Sequence, residues 1–137
     1  MKIENNVTGC LSPIEGSMLS FLAAKCDPKN TIVNIGCYKG RSLEYITSLL
    51  QTIQYSNPTI IGIDIKLREE LHRLGLYSAV DFIEGSSWEV IDQIPSNVEV
   101  VFIDGDHTYD GCTKDLELYW AKVIPSGVMI VHDVFDT

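Results

Sequence analysis

Short apolar runs rich in β-branched residues alternate with amphipathic segments along the chain, and this alternation restricts the fold more than any other feature. The runs that predict strands span residues 31–35, 59–65, 80–83, 98–103 and 128–131. The segments with helical spacing begin at Pro13, end near Asp27, and then span residues 42–54, 66–74, 88–94 and 109–123. Strands that alternate with helices predict βαβ units and a parallel sheet covered on both faces. We therefore expect a single α/β domain over residues 1–137.

Two of the helical segments have features that can be compared with a structure. Ser12-Pro13-Ile14-Glu15 is a helix-start signature, with Ser as N-cap and Glu completing a capping box. The large apolar residues of this first helix share one face, and they are Ile14, Met18, Phe21 and Leu22. In the last helix the residues expected to face inward are Leu116, Tyr119, Trp120 and Val123.

Charge and composition limit the classes of partner and compartment. The formal net charge of −9 argues against nucleic acid or an anionic membrane surface as the main partner. The longest apolar runs are about five residues, far short of the roughly 20 needed to span a bilayer. The N-terminus lacks the apolar region of a signal peptide, and the cysteines form no C-x-x-C pair. We expect a cytoplasmic protein with reduced thiols.

A glycine pair follows the first strand. Residues 34–42 are Asn-Ile-Gly-Cys-Tyr-Lys-Gly-Arg-Ser, in which Gly36 and Gly40 permit a sharp turn and close approach of a ligand. The dinucleotide fingerprint fails because Tyr38 stands where it needs glycine, and the P-loop fails because it needs one more residue and a lysine at Arg41. The loop suits a nucleoside without phosphate; a plain turn between strand and helix is the alternative.

Polar residues at the ends of the next two strands extend this hypothesis. Asp64 follows the second strand, where a carboxylate can accept both ribose hydroxyls or can cap the helix that begins near Lys66. Ser86, after the third strand, either contacts an adenine edge or caps the segment that begins at Trp88.

The fourth strand runs directly into a group of charged residues. Residues 100–103 are apolar, and Asp104, Asp106, His107 and Asp110 follow them. Carboxylates and an imidazole can hold a hard metal ion or take a proton. A helix start with an acidic first turn is the alternative.

These segments resemble a known family. VNIGCYKGRS, followed by Asp64, resembles the S-adenosylmethionine site of class I methyltransferases. FIDGDHTYDGCTKDLELYW, followed by VIPSGVMIVHD, resembles small-molecule O-methyltransferases related to macrocin O-methyltransferase and cephalosporin-hydroxylase-like proteins. The resemblance covers roughly residues 30–133 and implies methyl transfer from S-adenosylmethionine to a small hydroxylated molecule, often with a divalent metal. We expect a Rossmann-like open sheet of five parallel strands in the order 3-2-1-4-5, without the last two strands of the seven-stranded family fold.

The resemblance also implies roles for individual residues. It assigns the cofactor to Gly36, Gly40, Ser42, Asp64, Ser86 and Asp104. Asp104 would also bind Mg²⁺, with Asp133 as a second ligand and His132 as a neighbour or further ligand, and His107 would be the general base. For His107 the alternative is a solvated residue at a helix start. For His132 the alternative is a core histidine bonded to backbone.

The chain departs from the family pattern, and other functions stay open. Asn34 stands where the family usually has an acidic residue, and Ser86 where many relatives have Asp. The fifth strand would be an exposed edge that favours pairing, including a homodimer. The alternatives are a nucleoside-binding module without an acceptor pocket, an interaction protein that uses this edge, and a metal-dependent hydrolase or transferase of another class. The last would use Asp104, Asp106 and His107.

Overall fold

A computed structural model describes residues 11–52, 57–105 and 108–132 of the chain. Within these ranges one parallel sheet has the strand order β3-β2-β1-β4-β5, which confirms the predicted order. Its strands are β1 (Thr31–Ile35), β2 (Thr59–Asp64), β3 (Asp81–Glu84), β4 (Val98–Ile103) and β5 (Val123–Val131). The α-helices are α1 (Pro13–Lys25), α2 (Arg41–Thr52), α3 (Glu69–Arg73) and α4 (Tyr109–Trp120). Each helix in these ranges is too short or too polar to span a bilayer.

The sheet is covered on both faces, as the apolar strands predict. Alternate residues of a strand point to opposite faces, so Ile32 and Val33 belong to different clusters of buried residues. The Ile32 cluster includes buried side chains from α1, α2 and α3, namely Leu19, Ala23, Leu43, Ile46, Leu50 and Leu71. The Val33 cluster includes Tyr119 of α4 together with Val90 and Ile94 from the connection between β3 and β4. Two separate cores therefore hold the sheet between two layers.

The N-terminus of α1 has the predicted capping box. The Glu15 backbone N–H donates to Ser12 Oγ at 3.3 Å, and the Ser12 backbone N–H donates to Glu15 Oε2 at 2.8 Å. Two backbone donors that have no partner inside the helix are satisfied in this way.

The buried face of α1 differs from the face with the large apolar side chains. The exposed large side chains are Ile14, Met18 and Phe21. The buried residues are Gly16, Leu19, Ser20 and Ala23. A Cβ atom at Gly16 would lie 2.3 Å from the Tyr45 ring, and Ser20 Oγ donates to the Tyr45 carbonyl at 2.6 Å. Only small residues of α1 allow close contact with α2. The face with small residues is therefore buried, although the opposite face has larger apolar side chains.

Two predicted helices are shorter in the structure. The segment predicted as residues 66–74 contains only α3, and the segment predicted as residues 88–94 contains one 3₁₀ turn, Ile91–Gln93. The segment of residues 88–94 contacts α4 through Trp88, as described below, and lacks the hydrogen bonds of a regular α-helix. The last helix ends at Trp120, whose side chain is exposed, so the prediction that Trp120 faces inward is wrong.

The edge strand β5 begins five residues earlier than residue 128, the predicted start. Val123 pairs with Val98, but Val128 pairs with Val100, so the intervening residues form a bulge. This bulge contains Pro125, which has no N–H to donate and is tolerated at bulges and edges. A Cβ at Gly127 would lie 2.9 Å from the Glu99 carbonyl oxygen, so glycine fits the close approach of the two strands.

Candidate functional site

The glycine loop, residues 36–40, lies at the carboxyl edge of the sheet between the ends of β2 and β4. The Gly36 N–H donates to the Ile63 carbonyl at 2.8 Å, and a Cβ at Gly36 would lie 2.1 Å from the Asp104 carbonyl oxygen. Gly36 has a φ of +85° and Gly40 a φ of +91°. Both the positive φ and the contact with β4 therefore require glycine at position 36. The structure thus brings the predicted residues Gly36 and Asp104 together.

Asp64, at the end of β2, bonds directly to the glycine loop. Its Oδ2 accepts from the Tyr38 backbone N–H at 2.7 Å, and its Oδ1 accepts from the Lys66 backbone N–H at 3.3 Å. The second bond is the local cap that was the alternative role for Asp64. The first bond is long-range and fixes the carboxylate beside the loop. A carboxylate has about four acceptor positions, so two bonds leave capacity for ligand hydroxyls.

Tyr38 is a loop residue that the sequence did not single out. It has a φ of +45°, which is uncommon for a residue other than glycine. The Arg68 guanidinium carbon lies 4.7 Å from the centre of the Tyr38 ring, and Lys39 Nζ lies 5.4 Å from it. These cations hold the aromatic ring at the outer side of the loop. No local sequence pattern would have indicated the contact with Arg68, which is the N-cap residue of α3.

Asn34 lies beneath the glycine loop and is fully buried. Its Nδ2 donates to the Gly36 carbonyl at 3.3 Å, whereas its Oδ1 has no hydrogen-bond partner among the described residues. A buried polar atom without a partner costs free energy and points to a donor that binds there. The Asn34 amide oxygen therefore suits a ligand with N–H or O–H groups.

Cys37, within the glycine loop, is a packing residue. It is buried, and its Sγ lies 3.4 Å from the Ile63 carbonyl oxygen. Burial, followed by the charge of Asp64, raises the pKa of the Cys37 thiol far above its ordinary range. Burial likewise raises the pKa of the Cys26 thiol to about 12. Neither thiol forms the thiolate that a nucleophile needs near neutral pH.

The two predicted serines occupy different environments. Ser42 is buried in the first turn of α2, next to the glycine loop. Ser86 follows β3, and its Oγ accepts from the Glu89 backbone N–H at 3.2 Å. Ser86 thus caps the turn after β3, as the alternative interpretation proposed, and it remains at the carboxyl edge of the sheet.

The side chains of Asp104 after β4, His132 after β5 and Glu15 in α1 form a chain of carboxylate, imidazole and carboxylate. His132 Nδ1 lies 3.3 Å from Asp104 Oδ1, and His132 Nε2 lies 3.3 Å from Glu15 Oε2. The His132 side chain is only 7% exposed. Hydrogen bonds from Ser12, most of all from its backbone N–H, and the contact with His132 hold the pKa of Glu15 below its ordinary value. Sequence reasoning missed Glu15 as a site residue because its capping role already explained it.

The predicted metal site and general base include residues that the structure does not describe. His107, Asp106 and Asp133 lie outside the described residues, so their roles stay predictions. Among the described residues, no group of three or more His, Cys, Asp and Glu side chains forms a metal site. Both ring nitrogens of His132 face carboxylates, and Mg²⁺ prefers oxygen ligands. Asp110, by contrast, is an exposed residue in the first turn of α4.

Comparison with solved structures shows the same fold in several methyltransferases. A protein from Klebsiella pneumoniae proposed to be an O-methyltransferase matches with a TM-score of 0.72 and 17% identity, over 90% of this chain and 57% of that one. The SAH-bound methyltransferase PaMTH1 from Podospora anserina matches with a TM-score of 0.68 and 22% identity, over 91% of this chain and 54% of that one.

Two further matches extend the comparison. The MycE methyltransferase of mycinamycin biosynthesis, in complex with Mg, SAH and mycinamycin VI, has a TM-score of 0.67 and 20% identity, over 93% of this chain and 36% of that one. An uncharacterised protein of Acanthamoeba polyphaga mimivirus is 28% identical over 120 residues, which cover 77% of this chain and 52% of that protein. The chain thus spans about half the length of the mimivirus, Klebsiella and Podospora proteins and about a third of MycE.

The family model described as "Methyltransferase domain" matches residues 33–134. This range runs from β1 through β5, and it includes the glycine loop, Asp64 and Asp104. The chain belongs to this methyltransferase domain family.

Proposed function

We propose that this chain forms the cofactor-binding part of an S-adenosylmethionine-dependent O-methyltransferase that acts on a small hydroxylated molecule. The observation that supports it best is the bond from the Tyr38 N–H to Asp64, because it fixes a carboxylate beside a glycine loop at the carboxyl ends of the strands, where ligands bind in open α/β sheets. We further propose a relationship to the O-methyltransferases of the macrocin type. SAH, the product of the cofactor, is bound in the related folds of PaMTH1 and MycE.

The residues present fit the cofactor. Gly36 and Gly40 give the loop the positive-φ turns that hold its backbone at the carboxyl edge of the sheet, and Asp64 has free acceptor capacity for ribose hydroxyls. The unpartnered Asn34 Oδ1 suits a donor group of the ligand. Ser86 lies at the end of β3, where it would contact adenine.

The chain's own part in the reaction is to orient an acceptor hydroxyl and remove its proton. The sulfonium of the bound cofactor supplies a methyl group that needs no further activation, so alignment accounts for much of the rate. His107 would accept the hydroxyl proton, because imidazole titrates near neutral pH. Asp104, held by His132, and Asp133 would hold a divalent ion, which lowers the pKa of a bound hydroxyl. The Mg in the MycE complex supports this last proposal.

Titration calorimetry with S-adenosylhomocysteine tests the cofactor site. We expect measurable heat and a rise in melting temperature, since a ligand that binds only the folded state stabilises it. Absence of both would contradict the proposal.

Turnover with a panel of hydroxylated acceptors tests the chemistry separately. His107→Ala should abolish transfer and leave the affinity for S-adenosylhomocysteine nearly unchanged, whereas Asp104→Asn should remove the response to EDTA. Binding without transfer to any acceptor would favour the nucleoside-binding module. Activity that does not depend on S-adenosylmethionine would favour a hydrolase or transferase of another class.

We also propose a cellular setting and an oligomeric state. Among the described residues, Cys26 and Cys37 are free thiols, which suits a reducing compartment such as the cytoplasm. A homodimer formed through the β5 edge stays a prediction, and sedimentation at several protein concentrations would test it.

A further inference from the structure

The loop that follows β3 is attached to α4 through one buried carboxylate. Ser87 Oγ donates a hydrogen bond to Asp115 Oδ1, and Trp88 Nε1 donates to the same oxygen at 3.1 Å. Asp115 is 1% exposed. Two consecutive loop residues thus have their side-chain donors directed at one residue of a distant helix.

A second residue of α4 completes the attachment. Tyr119 lies one helical turn after Asp115, on the same face, and its hydroxyl donates to the Ser87 carbonyl at 2.8 Å. Burial and the charge of Asp115 raise the pKa of Tyr119, so its hydroxyl keeps the proton that it donates. Lys114 Nζ lies 3.9 Å from the centre of the Trp88 ring. Ser87 therefore contacts α4 through its side chain and its carbonyl. Trp88 contacts the same helix through its indole N–H and its ring.

The position of Asp115 relates it to the cofactor site. A Cβ at Gly105 would lie 3.9 Å from Asp115 Oδ2, so the carboxylate is also close to the turn after β4. In the sheet, β3 and β4 lie on either side of β2 and β1, which end in Asp64 and the glycine loop. The loop from β3 must therefore cross the face of the sheet to reach α4. A buried carboxylate is costly unless it is fully hydrogen-bonded, so its use here indicates a need for a defined loop position.

We propose that Asp115 is a positioning residue that holds residues 85–88 as the adenine side of the cofactor site, so that it determines affinity for the nucleoside part of the ligand. This inference rests on the proposed function. It predicts a loss of affinity that depends on adenosine and not on the methionine part.

The test compares two ligands on Asp115→Asn, which retains an acceptor oxygen and the side-chain shape. S-adenosylhomocysteine contains the methionine part, and 5′-methylthioadenosine lacks it. We expect the Kd of both to rise by the same factor, about tenfold, as for loss of one charge-assisted hydrogen bond. Glu117→Gln removes a charge from an exposed position of α4 and is the matched control. Its Kd values should equal those of the wild type.

Fluorescence reports separately on the loop. Trp88 and Trp120 are the two tryptophans of the chain, and Trp120 is exposed on α4. In a Trp120→Phe background, emission therefore comes from Trp88 alone, and Asp115→Asn should shift it while Glu117→Gln should not. If Asp115→Asn does not fold, Ser87→Ala removes one donor and should raise both Kd values by a smaller factor, about threefold, because Trp88 still donates to Asp115.

The outcomes separate the two hypotheses. If the wild type binds neither ligand, the proposed function fails and this inference fails with it. If the wild type binds and the variants shift Trp88 emission with unchanged Kd values, only the inference fails, and Asp115 serves stability alone. A rise in Kd for S-adenosylhomocysteine but not for 5′-methylthioadenosine would also overturn it.

Discussion

The backbone N–H of Tyr38 donates a hydrogen bond of 2.7 Å to Oδ2 of Asp64. This bond joins the glycine loop to the end of β2, so Asp64 both orders the loop and faces the proposed ribose. Asp64→Asn replaces one acceptor oxygen with a donor, and we expect the affinity for S-adenosylhomocysteine to fall about 10- to 100-fold. Calorimetry would measure the change.

The matched control for Asp64 is Asp81→Asn, which changes an exposed aspartate at the opposite end of the neighbouring strand β3. This variant should bind as the wild type does. If both variants lost the same affinity for S-adenosylhomocysteine, the total charge of the protein, and not the position of Asp64, would determine that affinity.

Gly36→Ala should destabilise the protein strongly. The added Cβ meets the Asp104 carbonyl at 2.1 Å, and the residue must keep a φ of +85°. The left-handed backbone alone costs about 1–2 kcal/mol, and overpacking against backbone adds roughly 1–3 kcal/mol. Urea denaturation would measure the change in the free energy of unfolding.

Gly75→Ala distinguishes these two costs. Gly75 has a φ of +69°, but a Cβ there has no neighbour within 4 Å. Gly75→Ala should therefore lower the free energy of unfolding only by the cost of the left-handed backbone, about 1–2 kcal/mol. If both variants lost the same free energy of unfolding, the contact between Gly36 and Asp104 would not matter for stability.

Gly16→Ala should also destabilise the protein, although alanine favours a helix by about 1 kcal/mol over glycine. The added methyl would meet the buried Tyr45 ring at 2.3 Å and separate α1 from α2. We expect a net loss of about 1–2 kcal/mol in urea denaturation. In a Tyr45→Leu background the same change should cost less, and an equal cost in both backgrounds would exclude the ring as the cause.

Glu15 should give the protein a dependence on acid pH. Its pKa is lowered in the folded state, so its contribution to stability is complete above the unfolded pKa, about 4.3, and is lost as pH falls through the lower folded pKa. Melting curves should therefore show the wild type a few degrees above Glu15→Gln at pH 7, as for loss of part of a helix cap. The difference should shrink as pH falls below the unfolded pKa, and parallel curves from pH 7 downward would contradict the assignment.

Local patterns were sufficient to predict the strands β1 and β4 and the capping box, because β-branched runs and N-cap residues act through their immediate neighbours. The strand order followed from the resemblance to class I methyltransferases. Residues 31–35 and 98–103 are the strands as predicted. The start of β5 was not predictable in the same way, because Pro125 and Gly127 indicate a turn locally but form a bulge against Glu99.

The parts of the site that depend on long-range contacts were also missed. The buried face of α1 follows from its contact with Tyr45, and the bonds of Ser87 and Trp88 follow from Asp115 on a distant helix. Periodicity shows which apolar side chains share one face of a helix. It does not show where a neighbouring helix comes so close that only small residues fit. The positions of Gly36, Asp64 and Asp104 after strand ends, by contrast, were accessible from the sequence, and their roles as ligand contacts stay predictions.

The contact between Glu15 and His132 joins residues separated by 117 positions. As the chain leaves the ribosome, α1 is complete long before its partner at the end of β5 exists. Bringing such distant residues together has an entropic cost that rises only slowly with separation, about 0.6 kcal/mol for each doubling. The contact must still wait for β4 and β5 to take their places in the sheet. Glu15 and His132 would therefore form one of the last bonds in folding, and the α1 N-terminus would gain its anchor to the sheet only when the domain is otherwise assembled.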